Sequence, residues 1–190
     1  MTSETERERA RERAAELLEN AGVALTDEER EGMEVVDYGL GDLESVGTEI
    51  VVYVNDKRYC AKELVLFPDQ TCPEHRHPPI DGFRGIEDYP GKRETFRCRW
   101  GDVYLYVEGD DDEERDPAKW TVEPPMRDQH YTAGTEIHLE PGDQYTIPPD
   151  TRHWFKAGSD GAVISEFSSM SVDEKDVFTD PEIDRMAGSY

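Results

Sequence analysis

The chain has little basic charge, few cysteines and no long apolar run. Its 190 residues carry 21 lysines and arginines against 45 aspartates and glutamates, a formal net charge of −24. A surface so negative repels a phosphate backbone or an anionic bilayer, so neither nucleic acid nor membrane is expected as a partner. It also disfavours a phosphorylated substrate. Cys60, Cys72 and Cys98 are unevenly spaced, with no Cys-x-x-Cys, which speaks against a disulfide framework and fits a reducing compartment. No stretch approaches the roughly 20 apolar residues of a membrane span. The first residues, MTSETERERARERAAELL, lack the apolar centre of a signal peptide, so a cytoplasmic location is expected. The acids are spread along the whole chain, and lysine is scarce relative to arginine. That pattern points to a halophilic protein, whose self-repulsion is screened at high salt. Hydrophobic residues make up 35% and aromatics 9%, lean but sufficient for one compact β-rich core.

Two capping patterns open the chain. Ser3 followed by Glu6 has capping-box spacing, and Ala10, Ala14, Leu17, Leu18 and Ala21 recur at helical intervals until Gly22. This predicts an amphipathic helix over 4–21. Thr26 and Glu29 repeat the spacing and predict a second, short helix, so residues 1–33 read as a helical segment packed on the rest. From Glu34 the texture becomes short runs rich in β-branched and aromatic residues: 49–54, 58–67, 94–100, 102–107, 135–140 and 161–166. Asn55-Asp56, Gly101-Asp102, Pro141-Gly142 and Gly158-Ser159 read as turns between them. Residues 34–190 are therefore expected to form one all-β sandwich or barrel, with the acidic tail from Ser171 lying across it. The stretch GDDDEERDPAK, 109–119, reads as a solvated hairpin loop.

Chemistry gathers around CPEHRHPP. On a strand, residues two apart share a face about 6.5 to 7 Å apart, so His75 and His77 can converge on one point. Two further features strengthen this weak signal. Glu94 is followed by six residues and then Gly101, and PGDQYTIPPDTRHW spaces Gly142, Pro148, Asp150 and His153. These spacings resemble the two motifs of the cupin superfamily. The resemblance implies a double-stranded β-helix, or jelly-roll, barrel in which His75, His77, Glu94 and His153 point inward as metal ligands. The chain departs from the pattern at Asp69 and Asp150, where glycine is usual, and in the long gap between His77 and Glu94. Pro78, Pro79, Gly82, Gly85, Pro90 and Gly91 make that gap a hairpin loop at the barrel mouth, which leaves its flanking strands free to pair. Glu74 and Glu87 are rival carboxylates without the strand context of Glu94. Cys72 lies near the histidines but is not read as a ligand, and His130 and His138 fall outside the motifs. Three nitrogens and a carboxylate favour manganese, iron, cobalt, nickel or zinc over calcium or magnesium.

A closer resemblance runs from about residue 25 to the end. The string YCAKE, CPEHRHPP, GKRETFRCRWG and HWFKAG, with SEFSS and DVFTDPEIDR, is similar to the D-lyxose ketol-isomerase family. It implies a metal-dependent cupin, with Mn2+ first and Co2+, Fe2+, Ni2+ or Zn2+ as alternatives. The implied substrates are free aldoses, D-lyxose and D-mannose, converted to D-xylulose and D-fructose, and the implied assembly is a homodimer. Such a reaction needs a carboxylate that moves a proton without being a ligand. Glu166, in the otherwise apolar strand AVISEFSS, is the candidate. Lys62, in YCAKELVLF, is the second, as a donor to a sugar oxygen. By alternation it shares a face with Cys60, Leu64 and Leu66, but the opposite face is also largely apolar. The rival readings are a cupin dioxygenase, a sugar-binding cupin without catalysis, and a phosphosugar isomerase using Arg93, Arg97 and Arg99.

Overall fold

A computed structural model describes residues 2–109 and 117–187. Helix α1 (Glu4–Asn20) starts where the sequence places its cap. The Glu6 carboxylate accepts from Ser3 N at 2.7 Å, and Glu6 N donates back to Ser3 Oγ at 3.4 Å. Thr26 and Glu29 form the same reciprocal pair ahead of α2 (Asp27–Glu31). The inner stripe of α1, Ala10, Ala14 and Leu18, is buried against Val51, Val65, Phe67 and Val163 on the outer face of a sheet. A fully buried Leu, Val or Phe side chain stabilises by about 1.5–3 kcal/mol and an alanine methyl by less than about 1, so Leu18 and the sheet residues it covers do most to fix the helix on the barrel.

Among the described residues nine strands follow: β1 (Glu34–Val36), β2 (Thr48–Asn55), β3 (Cys60–Leu66), β4 (Thr71–Arg76), β5 (Glu94–Val107), β6 (Thr135–Leu139), β7 (Gln144–Ile147), β8 (His153–Ser168) and β9 (Val177–Phe178). All nine pair antiparallel, in the order β1-β2-β3-β8-β4-β9, with β5 joining β6, β7 and β8. The two longest strands pair with each other from Glu94↔Ser168 to Val107↔His153. The first half of β5 and the second half of β8 sit beside β3 and β7, and their other halves sit beside β4 and β6. The sheet thereby curls over a core that includes Leu64, Phe96, Leu105, Phe155 and Ile164. This is the expected cupin-type, jelly-roll barrel with a helical N-terminal segment.

Two expected turns are absent. Runs 94–100 and 102–107 are one strand, β5, and run 161–166 is the latter half of β8. Gly101 and Gly161 serve a crossing of backbones. Gly101 has φ +68, and a Cβ there would stand 1.9 Å from the Gly161 carbonyl oxygen, beside a register shift in the pairing. A glycine in a strand marks close backbone approach as readily as a turn. Asp69 and Asp150 adopt φ +60 and +57, the left-handed backbone that glycine favours and that aspartate tolerates better than most residues. The motif departures thus keep the conformation while changing the residue.

The segment between β4 and β5 is a folded-back loop, with bridges Ile80↔Tyr89 and Phe83↔Ile86. Its Tyr89 hydroxyl donates to Met170 O at 2.5 Å, so it packs on the C-terminal tail. The tail crosses the barrel, adding β9 to the edge of β4 and anchoring Arg185 to Glu34 at 3.1 Å. Most of the acidic stretch expected as a solvated hairpin, residues 110–116, lies outside the described residues.

Candidate active site

Strands β4 and β8 are neighbours, and their register sets His75 opposite His153, with ring centroids 4.3 Å apart. His77 follows the last residue of β4, its ring 4.9 Å from that of His75. One ring nitrogen from each of the three lies within 4.8 Å of the other two. Glu94, the first residue of β5, reaches the same point. Its Oε1 stands 3.2 Å from His77 Nε2 and 3.1 Å from His153 Nε2. The long loop therefore leaves its flanking residues adjacent, and all four residues singled out in the sequence come together.

Each imidazole is fixed from behind through Nδ1. His75 pairs with Pro73 O at 2.8 Å, His153 with Thr151 O at 2.9 Å, and His77 with Asp176 Oδ1 at 2.6 Å. A neutral ring donating from Nδ1 leaves the Nε2 lone pair free. His77 Nε2, His153 Nε2 and Glu94 Oε1 are all buried and have no hydrogen-bond partner. An unpaired buried polar atom costs about 1–3 kcal/mol, and here three of them point to one place. The donor set, nitrogens with one carboxylate oxygen, fits a borderline divalent ion.

The electrostatics agree. Burial and the neighbouring His153 and His77 hold His75 well below the ordinary imidazole range, hence neutral. Burial acts to lower His77 as well, but the carboxylates of Asp176 and Glu94 outweigh it and push the group up to about 9. Burial acts to raise Glu94, yet Lys92, His77 and His153 together keep it well below the usual carboxylate range. The pocket is thus set up to hold positive charge.

Glu166 lines the same cavity from β8, in register with Lys62 on β3 and Phe96 on β5. Its contacts converge on Oε1, where Lys92 Nζ lies at 2.6 Å, Ser168 Oγ at 3.0 Å and Lys62 Nζ at 4.0 Å. Lys62 does face inward, and is 6% exposed. Burial would depress its ammonium, but Glu166 and Asp173 more than compensate and raise it.

Lys92 escaped the sequence reading. Its Nζ bridges Glu94 Oε2 at 2.7 Å and Glu166 Oε1 at 2.6 Å, and these two carboxylates raise it well above its ordinary value against the effect of burial. The signal was present, since Lys92 precedes Glu94 by two positions, the spacing of a shared face. Asp173, Asp176 and Arg185 also line the cavity, from the tail. Nothing local distinguishes them from the surrounding acids and turns.

The alternatives sit elsewhere. Glu74 is buried behind the histidines, and Glu87 is exposed. Cys72 lines the cavity but contacts the Tyr38 hydroxyl, 3.1 Å away. His138 pairs with Asp102 at the surface, and His130 lies 3.8 Å from Asp180. Arg93, Arg97 and Arg99 alternate with the inward residues of β5, and none of them lines the cavity.

A family model described as D-lyxose isomerase matches residues 13–188. The chain is 57% identical over 177 residues to a D-lyxose ketol-isomerase of Thermofilum sp., covering 93% of both. It is 57% identical over 175 residues to a D-lyxose/D-mannose isomerase of Thermosediminibacter oceani, covering 92% of this chain and 91% of the relative. Among solved structures, an L-ribose isomerase of Cellulomonas parahominis shares the fold at 16% identity, with a TM-score of 0.75 and coverage of 95% of this chain and 93% of that one. None of the described helices is long and apolar enough to cross a membrane.

Proposed function

The chain belongs to the D-lyxose isomerase family, and on that premise we propose that it interconverts a free aldose and its ketose by proton transfer through a cis-enediolate. D-Lyxose with D-xylulose is the first pair, and D-mannose with D-fructose the second. The observation that carries this reading is the pairing of two buried carboxylates by Lys92. Glu94 faces the three imidazoles, while Glu166 stands outside that cluster, which suits a base rather than a ligand.

A divalent ion, Mn2+ or alternatively Co2+, Fe2+, Ni2+ or Zn2+, would be held by His75, His77, Glu94 and His153 and would supply a Lewis acid beside the sugar's carbonyl and hydroxyl oxygens. The chain's own residues do the rest. Glu166 takes the proton from C2 of the aldose and returns it to C1, while the proton of the C2 hydroxyl passes to O1. Lys92 holds the Glu166 carboxylate in place through Oε1, leaving Oε2 for the carbon acid. Lys62, 4.0 Å from both Glu166 and Asp173, donates to a sugar oxygen as charge develops on it. The reverse reaction uses the same groups.

The test is an NMR assay of free aldoses with the metal-stripped protein and each divalent ion in D2O. D-Lyxose should give D-xylulose, with solvent deuterium at C1 to the extent that the proton held by Glu166 exchanges before its return, and activity should persist without oxygen, unlike that of a dioxygenase. Failure of every aldose with every ion would overturn the reading.

A further inference from the structure

Glu74 lies between Pro73 and His75 yet faces away from the cavity, and it is only 2% exposed. Four donors converge on its carboxylate. Oε2 accepts from Thr132 N at 2.5 Å and Ala133 N at 2.6 Å, and Oε1 from Thr132 Oγ1 at 2.8 Å and Thr179 Oγ1 at 2.6 Å. Its backbone carbonyl accepts a fifth bond, from Thr179 N at 3.1 Å.

Each partner leads to an imidazole. Thr179 follows β9, whose Phe178 ring lies 5.2 Å from the ring of His75 at an interplanar angle of 30°, and in the same tail Asp176 holds His77 Nδ1. Thr132 and Ala133 lead to the residues on either side of His153. Arg152 Nη1 donates to Thr132 Oγ1 at 2.6 Å, and Trp154 Nε1 donates to Ala133 O at 3.1 Å. One carboxylate behind β4 therefore ties together the segments that support all three histidines. We infer that Glu74 is a positioning residue for the metal centre, indexing His75, His77 and His153 against one another through the 132–133 segment and the tail. The inference rests on the metal-site reading above.

An amide in its place would set its own N–H groups against donors, while nearly preserving shape. Groups that orient ligands from behind are typically worth about 10–100-fold in metal affinity. The experiment is titration of the metal-stripped protein with Co2+, read by its visible absorption as well as by turnover. Glu74→Gln should keep its near-UV circular dichroism but bind Co2+ about 10–100-fold more weakly, with a shifted absorption band. Unchanged affinity and spectrum would overturn the role. If Glu74→Gln does not fold, Thr179→Val decides, since it removes one of the four bonds. It should weaken Co2+ binding several-fold, whereas Thr95→Val, which breaks the hydroxyl pair with Thr146 between β5 and β7, should not. Equal effects of the two threonine variants would overturn the inference. His75→Ala separates the two readings, because loss of Co2+ binding in it tests the metal site itself, whatever Glu74 does.

Discussion

Lys92 and Glu166 meet at 2.6 Å, with both side chains almost sealed from solvent. The same ammonium holds Glu94 on its other side, so removing it leaves two buried carboxylates facing each other. Lys92→Met should lower kcat about 100-fold or more and cost about 3–5 kcal/mol of stability, the scale of an uncompensated buried charge. Steady-state kinetics and urea unfolding of the same variant measure the two. The double variant Lys92→Met/Glu166→Gln should be more stable than Lys92→Met alone, because it removes one of the opposed charges.

Glu166→Gln keeps the shape of the side chain and removes the proposed base. Turnover should fall about 10²–10⁴-fold, while Mn2+ binding to the metal-stripped protein, followed by equilibrium dialysis, stays within about 3-fold of the parent. Intact turnover would sink the assignment of Glu166, and lost Mn2+ binding would make it a ligand instead.

Asp173 gives a pH dependence with a definite sign. Its burial acts to raise the carboxyl, but Lys62 and Arg185 outweigh it and hold it below the ordinary aspartate range. A depressed folded-state value stabilises the protein above the unfolded value of about 3.9 and is lost as pH falls through the folded one. Asp173→Asn should therefore cost about 2 kcal/mol at pH 7, and the gap between parent and variant should narrow steadily below about pH 4. Urea unfolding at a series of pH values follows it. A gap that widened in acid would contradict the assignment.

Gly101 and Gly142 separate backbone strain from lack of room. Both have positive φ, but a Cβ at Gly142 meets nothing within 4 Å, whereas at Gly101 it meets the Gly161 carbonyl. Gly142→Ala should cost about 1–2 kcal/mol. Gly101→Ala should cost about 4 kcal/mol or more, the range reached by backbone clash in a core. Comparison of urea midpoints decides between them.

What was legible in the sequence is what is written locally. Ser3 with Glu6 and Thr26 with Glu29 mark helix starts because a capping box closes within four residues. His75, His77, Glu94 and His153 were readable because motif spacing survives an inserted loop when its flanking strands still pair. Asp69 and Asp150 looked like departures because residue identity was visible and φ was not. The continuity of β5 and β8 was missed at Gly101 and Gly158, since a glycine that bends a strand and one that ends it read alike. Asp176 was out of reach for a different reason. It lies 99 positions from the histidine it supports, in a tail whose acids carry no period. Lys92 was missed because a strand-flanking lysine is ordinarily solvated, and only the two carboxylates brought to it by separate strands make it otherwise.

The pairing of β5 with β8 also sets when the site can exist. Each rung joins residues dozens of positions apart, such as Val107 with His153 and Glu94 with Ser168, so the chain closes long loops before any rung rewards it. Barrels of this kind fold in milliseconds to seconds rather than microseconds. His153 and Glu166 lie toward opposite ends of β8, so neither the proposed metal centre nor the proposed base can form ahead of that closure. Trp154, whose ring stacks 4.0 Å from Tyr106 across the two strands, reports it directly. In refolding, regained Co2+ binding should trail or match the tryptophan signal and never precede it, which makes metal capture a late readout of a correctly closed barrel.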